Sequence, residues 1–349
     1  MHLTKKENHT LLFFLASTFA FAGIVGCMLG GWLSDLFGRK KIIIFSAIPF
    51  LASTILLGCS QSLPLLLLSR GIGGLGDGLM VPTVLVYIAE TSSKELRSTL
   101  SNIPNISFCL GSIITYLLSM MISWRMLNWV LLIPPLLTIL MMLNVPETPY
   151  WLAQKNRIDE VKKALLWLRN GQEIEEEFKE ISEKCKTEEK ETFAEKITSN
   201  LSVLKSKMFL KPFLIAEPLI ILYNCSGLTV VAFYLVSIFQ ESGSSIDKFQ
   251  ASLIVSSWRL IMSLFSSLAL LKLPRRFLFI SSTLITALSL SLLGTFIFLK
   301  TKLQYLSWTD SLGWVPLALI LLIYSGSQLG FNPITKVFIL AFPHSAGKL

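Results

Sequence analysis

Residues 11–33, "LLFFLASTFAFAGIVGCMLGGWL", contain no charged side chain. A helix of about 20 apolar residues crosses the hydrocarbon core of a bilayer, so this run is long enough to do so. Comparable stretches recur at residues 42–60, 64–90, 99–121, 126–145, 212–240, 250–271, 277–299 and 314–342, which makes nine predicted spans. A soluble core cannot hide that much apolar surface: 52% of the residues are hydrophobic, 15% are charged, and mean hydropathy is +0.63. The runs are rich in Leu, Ile, Phe, Ser and Gly. That composition suits helices packed on helices, unlike the period-two alternation of a barrel strand. The predicted fold class is all-α, a polytopic membrane protein.

Between the fifth and sixth runs, residues 147–211 are rich in Lys and Glu. The segment "RIDEVKKALLWLRNGQEIEEEFKEISEK" places acids and bases three and four residues apart, the pattern of solvated surface helices, and reads as a cytoplasmic connector. Lys and Arg set the orientation. With Arg39, Lys40, Lys41, Lys94, Arg97, the connector, Lys272, Arg275 and Arg276 on one side, few positives are left for the other, among them Arg125, Lys248, Lys300 and Lys302. The crowded side is expected to be the cytoplasm, with the N-terminus outside and the C-terminus inside. This bias accounts for the formal charge of +9 without a nucleic-acid partner. Asn8-His9-Thr10 is then an external glycosylation sequon. The first apolar run continues into "GGWLSD" with no evident cleavage site, so no cleavable signal peptide is expected.

Little in the chain supports covalent chemistry. Cys27, Cys59, Cys109 and Cys225 lie in apolar runs and Cys185 in the connector, without the paired spacing of a zinc site or disulfide framework; they read as buried packing residues. His2, His9 and His344 sit near the termini. The segment "GIGGLGDG" lies inside an apolar run with no preceding strand, which separates it from a dinucleotide-binding turn. No enzyme activity, cofactor or metal is expected.

An internal echo divides the chain into two related halves: "FGRKKIIIFSA" (residues 37–47) is answered by "LPRRFLFISST" (273–283), each a short turn, two basic residues and an apolar helix. With "GWLSDLFGRKK", "SRGIGGLGDGLMVPTVLVYIAETSSKELRS", "WRMLNW" and "VPETPYWLAQKNRIDEVKKALLWLRNG", the sequence resembles the sugar porter family of the major facilitator superfamily, most of all its insect trehalose-transporter-like members. The resemblance covers essentially the whole chain. It implies a major facilitator fold of two pseudo-symmetric helical bundles. Residues 1–146 would form an N-terminal bundle of family spans 2–6, residues 147–211 a cytoplasmic helical linker, and residues 212–349 a C-terminal bundle of spans 7–10. Against the family's twelve spans, this chain with about nine would lack span 1 and spans 11–12, and an incomplete sequence is the expected cause.

The resemblance also implies site residues. Gly31, Asp35, Gly38, Arg39, Glu90, Arg97, Glu147, Arg275 and Arg276 fall where the family carries its cytoplasmic gating network. Gly31 would let two helices approach, and Glu90 and Arg97 would pair with Arg39. Thr148 and Tyr150 replace a serine and an arginine of the family signature, leaving Glu147 without its usual partner. The central site would be lined by Asn105, Tyr223, Asn224, Thr229 and Arg259, at positions where the family holds sugar hydroxyls with amides, groups that both donate and accept hydrogen bonds. An arginine inside a span is costly and marks a functional candidate. The expected activity is transport of a small polar solute, most readily trehalose or a hexose, by alternating access in the plasma membrane. An organic-anion carrier of the same superfamily and a non-transporting sensor or truncated relative are the alternatives.

Overall fold

The computed structural model describes residues 5–93, 100, 102–171, 174–188, 214, 217–218, 221–242, 248–302 and 314–335. The helices are α1 Lys5–Phe37, α2 Arg39–Cys59, α3 Leu63–Thr91, α4 Ile103–Met121, α5 Trp124–Val130, α6 Ile133–Leu143, α7 Pro149–Gln154, α8 Ile158–Leu168, α9 Glu175–Glu188, α10 Leu228–Phe233, α11 Leu235–Ser242, α12 Lys248–Lys272, α13 Arg275–Lys302 and α14 Val315–Gly326. A π-helical segment, Ser327–Phe331, extends α14. No strand occurs among the described residues.

Eight stretches among the described residues are long and apolar enough to cross a membrane: Phe13–Phe37, Arg39–Cys59, Leu63–Thr91, Ile103–Met121, Trp124–Leu143, Phe249–Leu270, Arg276–Leu299 and Val315–Thr335. They match eight of the nine runs read from sequence. The run at 212–240 differs, because its described part is broken twice. Gly227, at φ +80°, stands in the left-handed region that glycine adopts without steric cost and ends one helical piece; Tyr234 then separates α10 from α11. A hydropathy count is blind to such breaks.

Packing divides the chain into two compact units, one formed by residues 1–94 and 122–201, the other by 95–121 and 202–349. In the first, α3 packs against α1 and α2, and α2 also meets α5 and α6. Small residues make the close approach possible: a Cβ at Gly26 would stand 2.5 Å from the Leu75 carbonyl oxygen and 3.0 Å from the Cα of Gly78. Gly31, expected to serve this purpose, does not: no described atom lies within 4 Å of where its Cβ would be, and Gly26 and Gly30 carry the contact instead. Beyond the spans, α7, α8 and α9 enclose an apolar cluster of Trp151, Leu152, Val161, Leu165, Ile174 and Ile181. The connector therefore has a core of its own, more than the solvated helices its charge pattern predicts.

In the second unit α4 packs on α12, and α13 packs on α14 and its π-helical extension. A Cβ at Gly330 would meet the Leu278 carbonyl oxygen at 2.5 Å, and one at Gly326 would meet Thr286 Oγ1 at 2.5 Å, so this pair, four residues apart, seats α14 against α13. The π-helical turn has a local cause. Pro333 has no N–H to offer the Leu329 carbonyl, and the hydroxyl of Ser266 on α12 donates to that oxygen instead, at 3.2 Å. In both units the buried span residues include many small hydroxyls, such as Ser46, Ser69, Thr83, Ser252 and Ser256, while Phe21, Met28, Leu140 and Leu288 are exposed. That inversion is expected where lipid is the solvent. It extends to cysteine: Cys109 is buried as expected, whereas Cys27, Cys59 and Cys225 are exposed.

Candidate functional site

Two polar clusters stand out, one in each unit. The first begins at Gly38, whose φ of +104° ends α1 and starts α2. A side chain there would be strained, and its Cβ would sit 3.0 Å from the Glu147 carboxyl carbon. The turn buries Arg39, 5% exposed, and aims its guanidinium at two carboxylates: Glu90 at 2.9 Å and Asp35 at 3.0 Å. A further N–H donates to the Ser34 carbonyl at 3.3 Å.

Glu147 finds its partner in backbone. The Lys40 N–H, in the first turn of α2, donates to its two oxygens at 3.0 and 3.2 Å, and the Thr148 N–H donates at 3.0 Å. A carboxylate satisfies helix N-terminal donors that have no partner inside the helix. Thr148 is fully buried and caps α7 by accepting from the Trp151 N–H at 3.4 Å; the Trp151 indole N–H donates to the Asp35 carbonyl at 3.0 Å. Farther out, Arg169 forks onto Glu177 at 2.9 and 2.7 Å and donates to the Thr91 carbonyl at 3.2 Å. The carboxylate of Glu177 holds the Arg169 guanidinium above its ordinary pKa. Glu90, Asp35, Arg39 and Glu147 are thus gathered at one turn. Arg97 and the side chains of Arg275 and Asn8 lie outside the described residues, and Arg276 is exposed at the start of α13.

The second cluster is layered. Arg259 and Ser263 lie one turn apart on α12, as do Tyr324 and Gln328 along α14 and its extension, while Phe108 and Asn105 lie one turn apart on α4. In one layer the Arg259 guanidinium sits over two rings, 4.6 Å from the Tyr324 centroid and 5.2 Å from that of Phe108. Its Nε and the Tyr324 hydroxyl are buried without a hydrogen-bond partner among the described residues. One turn on, the Asn105 amide donates to Ser263 Oγ and to Gln328 Oε1, each at 2.8 Å, and its oxygen accepts from Asn332 at 3.3 Å. Asn102 completes the mesh by donating to Ser267 Oγ at 2.9 Å and the Ser263 carbonyl at 3.1 Å.

Of the residues expected at the central site, Asn105 and Arg259 therefore meet the same three helices. Tyr223 approaches from the broken segment, its ring 4.9 Å from Phe331 in the π-helical turn. Asn224 and Thr229 flank the break at Gly227 and are exposed. Sequence reasoning missed Asn102, Ser263, Tyr324, Gln328 and Asn332. The amides at 328 and 332, four residues apart inside an apolar run, were the available signal.

The sequence profile described as "Sugar (and other) transporter" matches residues 2–345. The chain belongs to the sugar transporter family. Over 314 residues it is 33% identical to the facilitated trehalose transporter Tret1 of Anopheles gambiae, an alignment covering 90% of this chain and 39% of that one. It is 32% identical to Tret1 of Culex quinquefasciatus, covering 90% and 59%. This chain thus spans between about two fifths and three fifths of the length of these relatives. Among solved structures, the major facilitator superfamily proton:xylose symporter XylE, bound to 6-bromo-6-deoxy-D-glucose, matches with a TM-score of 0.79 and 21% identity, covering 99% of this chain and 78% of that one. A partially occluded, inward-open conformation of XylE from E. coli matches with a TM-score of 0.75 and 20% identity, covering 99% and 80%. The fold is the major facilitator fold, and the chain is a multi-pass membrane protein.

Proposed function

We propose that this chain carries a sugar, trehalose or a hexose, across the plasma membrane by alternating access, without covalent chemistry. The observation behind this reading is the mesh of Asn105, Gln328 and Asn332 amides beside Arg259, Tyr324 and a helix broken at Gly227. Amides match sugar hydroxyls because both donate and accept, and broken helices supply backbone groups to solute sites. Asn105, Tyr223, Asn224, Thr229 and Arg259 line the site in this reading. The names of the trehalose-transporting relatives favour the same solute class.

The Asp35–Arg39–Glu90 cluster, with Glu147 on the start of α2, acts as a cytoplasmic latch whose closure shifts the balance between conformations. Gly38 shapes it, and Arg97, Arg275 and Arg276 belong to the same network. The N-terminus is outside and the C-terminus inside, residues 147–211 form the cytoplasmic linker, and the bundles follow the two halves of the sequence, 1–146 and 212–349, except that residues 95–121 pack with the second unit. Asn8 is the external sequon.

A second reading, an organic-anion carrier, is favoured by one observation: Arg259 has no acidic partner among the described residues. Proteoliposomes holding the chain, offered radiolabelled trehalose, glucose and an organic anion, separate the readings. Saturable sugar uptake supports the first and anion uptake the second, while uptake of neither marks a non-transporting relative. Arg259→Gln sharpens the result: unchanged sugar uptake removes Arg259 from the sugar site.

A further inference from the structure

At the span ends of the first unit lies a cavity of about 500 Å³ whose walls include Lys40, Lys41, Arg157, Lys163, Trp151 and Trp167. Its height relative to the bilayer follows from the spans. Arg39 opens one and Leu143 closes another, so Lys40, Lys41 and the adjoining wall at residues 144–146 stand where hydrocarbon gives way to headgroups.

Both acids on this wall hold hydrogen bonds, Glu160 through one oxygen only. Glu147 is held by the backbone N–H groups of Lys40 and Thr148, and Glu160 accepts from Arg157 Nε at 2.8 Å. Lys41 and Lys163 are exposed and have no acidic partner among the described residues. Lys40 spends one donor on the Leu143 carbonyl at 3.0 Å, leaving two of its three. The cavity therefore presents ammonium groups with spare donors, three lysines and Arg157 against the two carboxylates of Glu147 and Glu160.

Trp167, on the wall of the cavity, is 57% exposed. A basic cavity beside an exposed tryptophan, level with the span ends, combines the charge that attracts phosphate with an aromatic group suited to the membrane interface. We infer that this cavity binds the headgroup of an anionic phospholipid. A free phosphate would satisfy the lysines but make no use of the exposed tryptophan or of the cavity's position. The inference is independent of which solute the chain carries.

The test is binding of labelled phosphatidylinositol 4-phosphate to the full chain in phosphatidylcholine nanodiscs, with inorganic phosphate and a soluble inositol phosphate as competitors. Each lysine near such a surface contributes a factor of about five, so Lys41→Gln with Lys163→Gln is expected to weaken binding roughly 25-fold. Lys41→Arg with Lys163→Arg is expected to restore it, which separates charge from shape. Both side chains are exposed, so an unchanged melting temperature confirms that either pair still folds. Equal lipid binding by the wild type and the glutamine pair overturns the inference. Displacement by the soluble inositol phosphate or inorganic phosphate at the same concentration as the lipid overturns the assignment to a membrane lipid.

Discussion

The two polar clusters follow opposite building rules. In the first unit, Arg39 is buried against the carboxylates of Glu90 and Asp35 and Glu147 is held by backbone N–H groups, so the cation meets opposite charge within the cluster, although Arg39 Nε and Glu90 Oε2 take no hydrogen bond among the described residues. In the second, Arg259 faces aromatic rings, its Nε and the Tyr324 hydroxyl go unpaired among the described residues, and the neighbouring groups are neutral amides and hydroxyls. A closed charge cluster makes a latch, because its strength can favour one conformation over another without a ligand. A partly buried cation with no acid beside it among the described residues, set among neutral amides and hydroxyls, is what a solute can satisfy.

Substitutions can break this contrast. Arg39→Leu should have the largest effect on stability: it leaves the largely buried Glu90 without its cation, and removing one partner of a buried pair costs about 3–5 kcal/mol, read as a lowered melting temperature in detergent. Gly38→Ala places a Cβ at a φ of +104° and against Glu147, at a cost of about 1–3 kcal/mol plus displacement of that carboxylate; a Gly38→Ala chain as stable as the wild type would contradict the described turn. Gln328→Leu should cost about 1–3 kcal/mol by unpairing the Asn105 amide, but its larger consequence should be loss of solute binding. Thr148→Ala removes the α7 cap for about 1 kcal/mol, with solute affinity unchanged. Arg169→Gln should be smallest, under about 1 kcal/mol, because the Glu177 pair is partly solvated.

The sequence made the first cluster more legible than the second, for physical reasons. The resemblance places Asp35, Arg39 and Glu90 in one charge network, and charges in or beside apolar runs need partners, so their meeting was expected. The partner of Glu147 could not, because it is the backbone N–H of Lys40, and counting side chains never registers main-chain donors. The glycine contact was displaced within its own motif: Gly26 and Gly30 face α3 while Gly31 points away, a distinction set by helix rotation. Span positions followed from length and hydropathy. The break at Gly227 escaped both measures, since one residue's φ changes neither. In the second unit, Asn105 and Arg259 were readable as polar residues in spans, but their neighbours Ser263 and Gln328 needed three helices to be brought together first.

If, as proposed, solute recognition belongs to the amide mesh and conformational balance to the charge cluster, a binding measurement should separate the two. Equilibrium binding of radiolabelled trehalose and glucose to the purified full chain, compared among wild type, Gln328→Leu and Thr148→Ala at matched folded fractions, tests it most directly. The account predicts saturable sugar binding that falls at least about tenfold in Gln328→Leu, the loss of one buried hydrogen bond, and is unchanged in Thr148→Ala. Equal affinity in wild type and Gln328→Leu, or saturable binding of neither sugar, would contradict it.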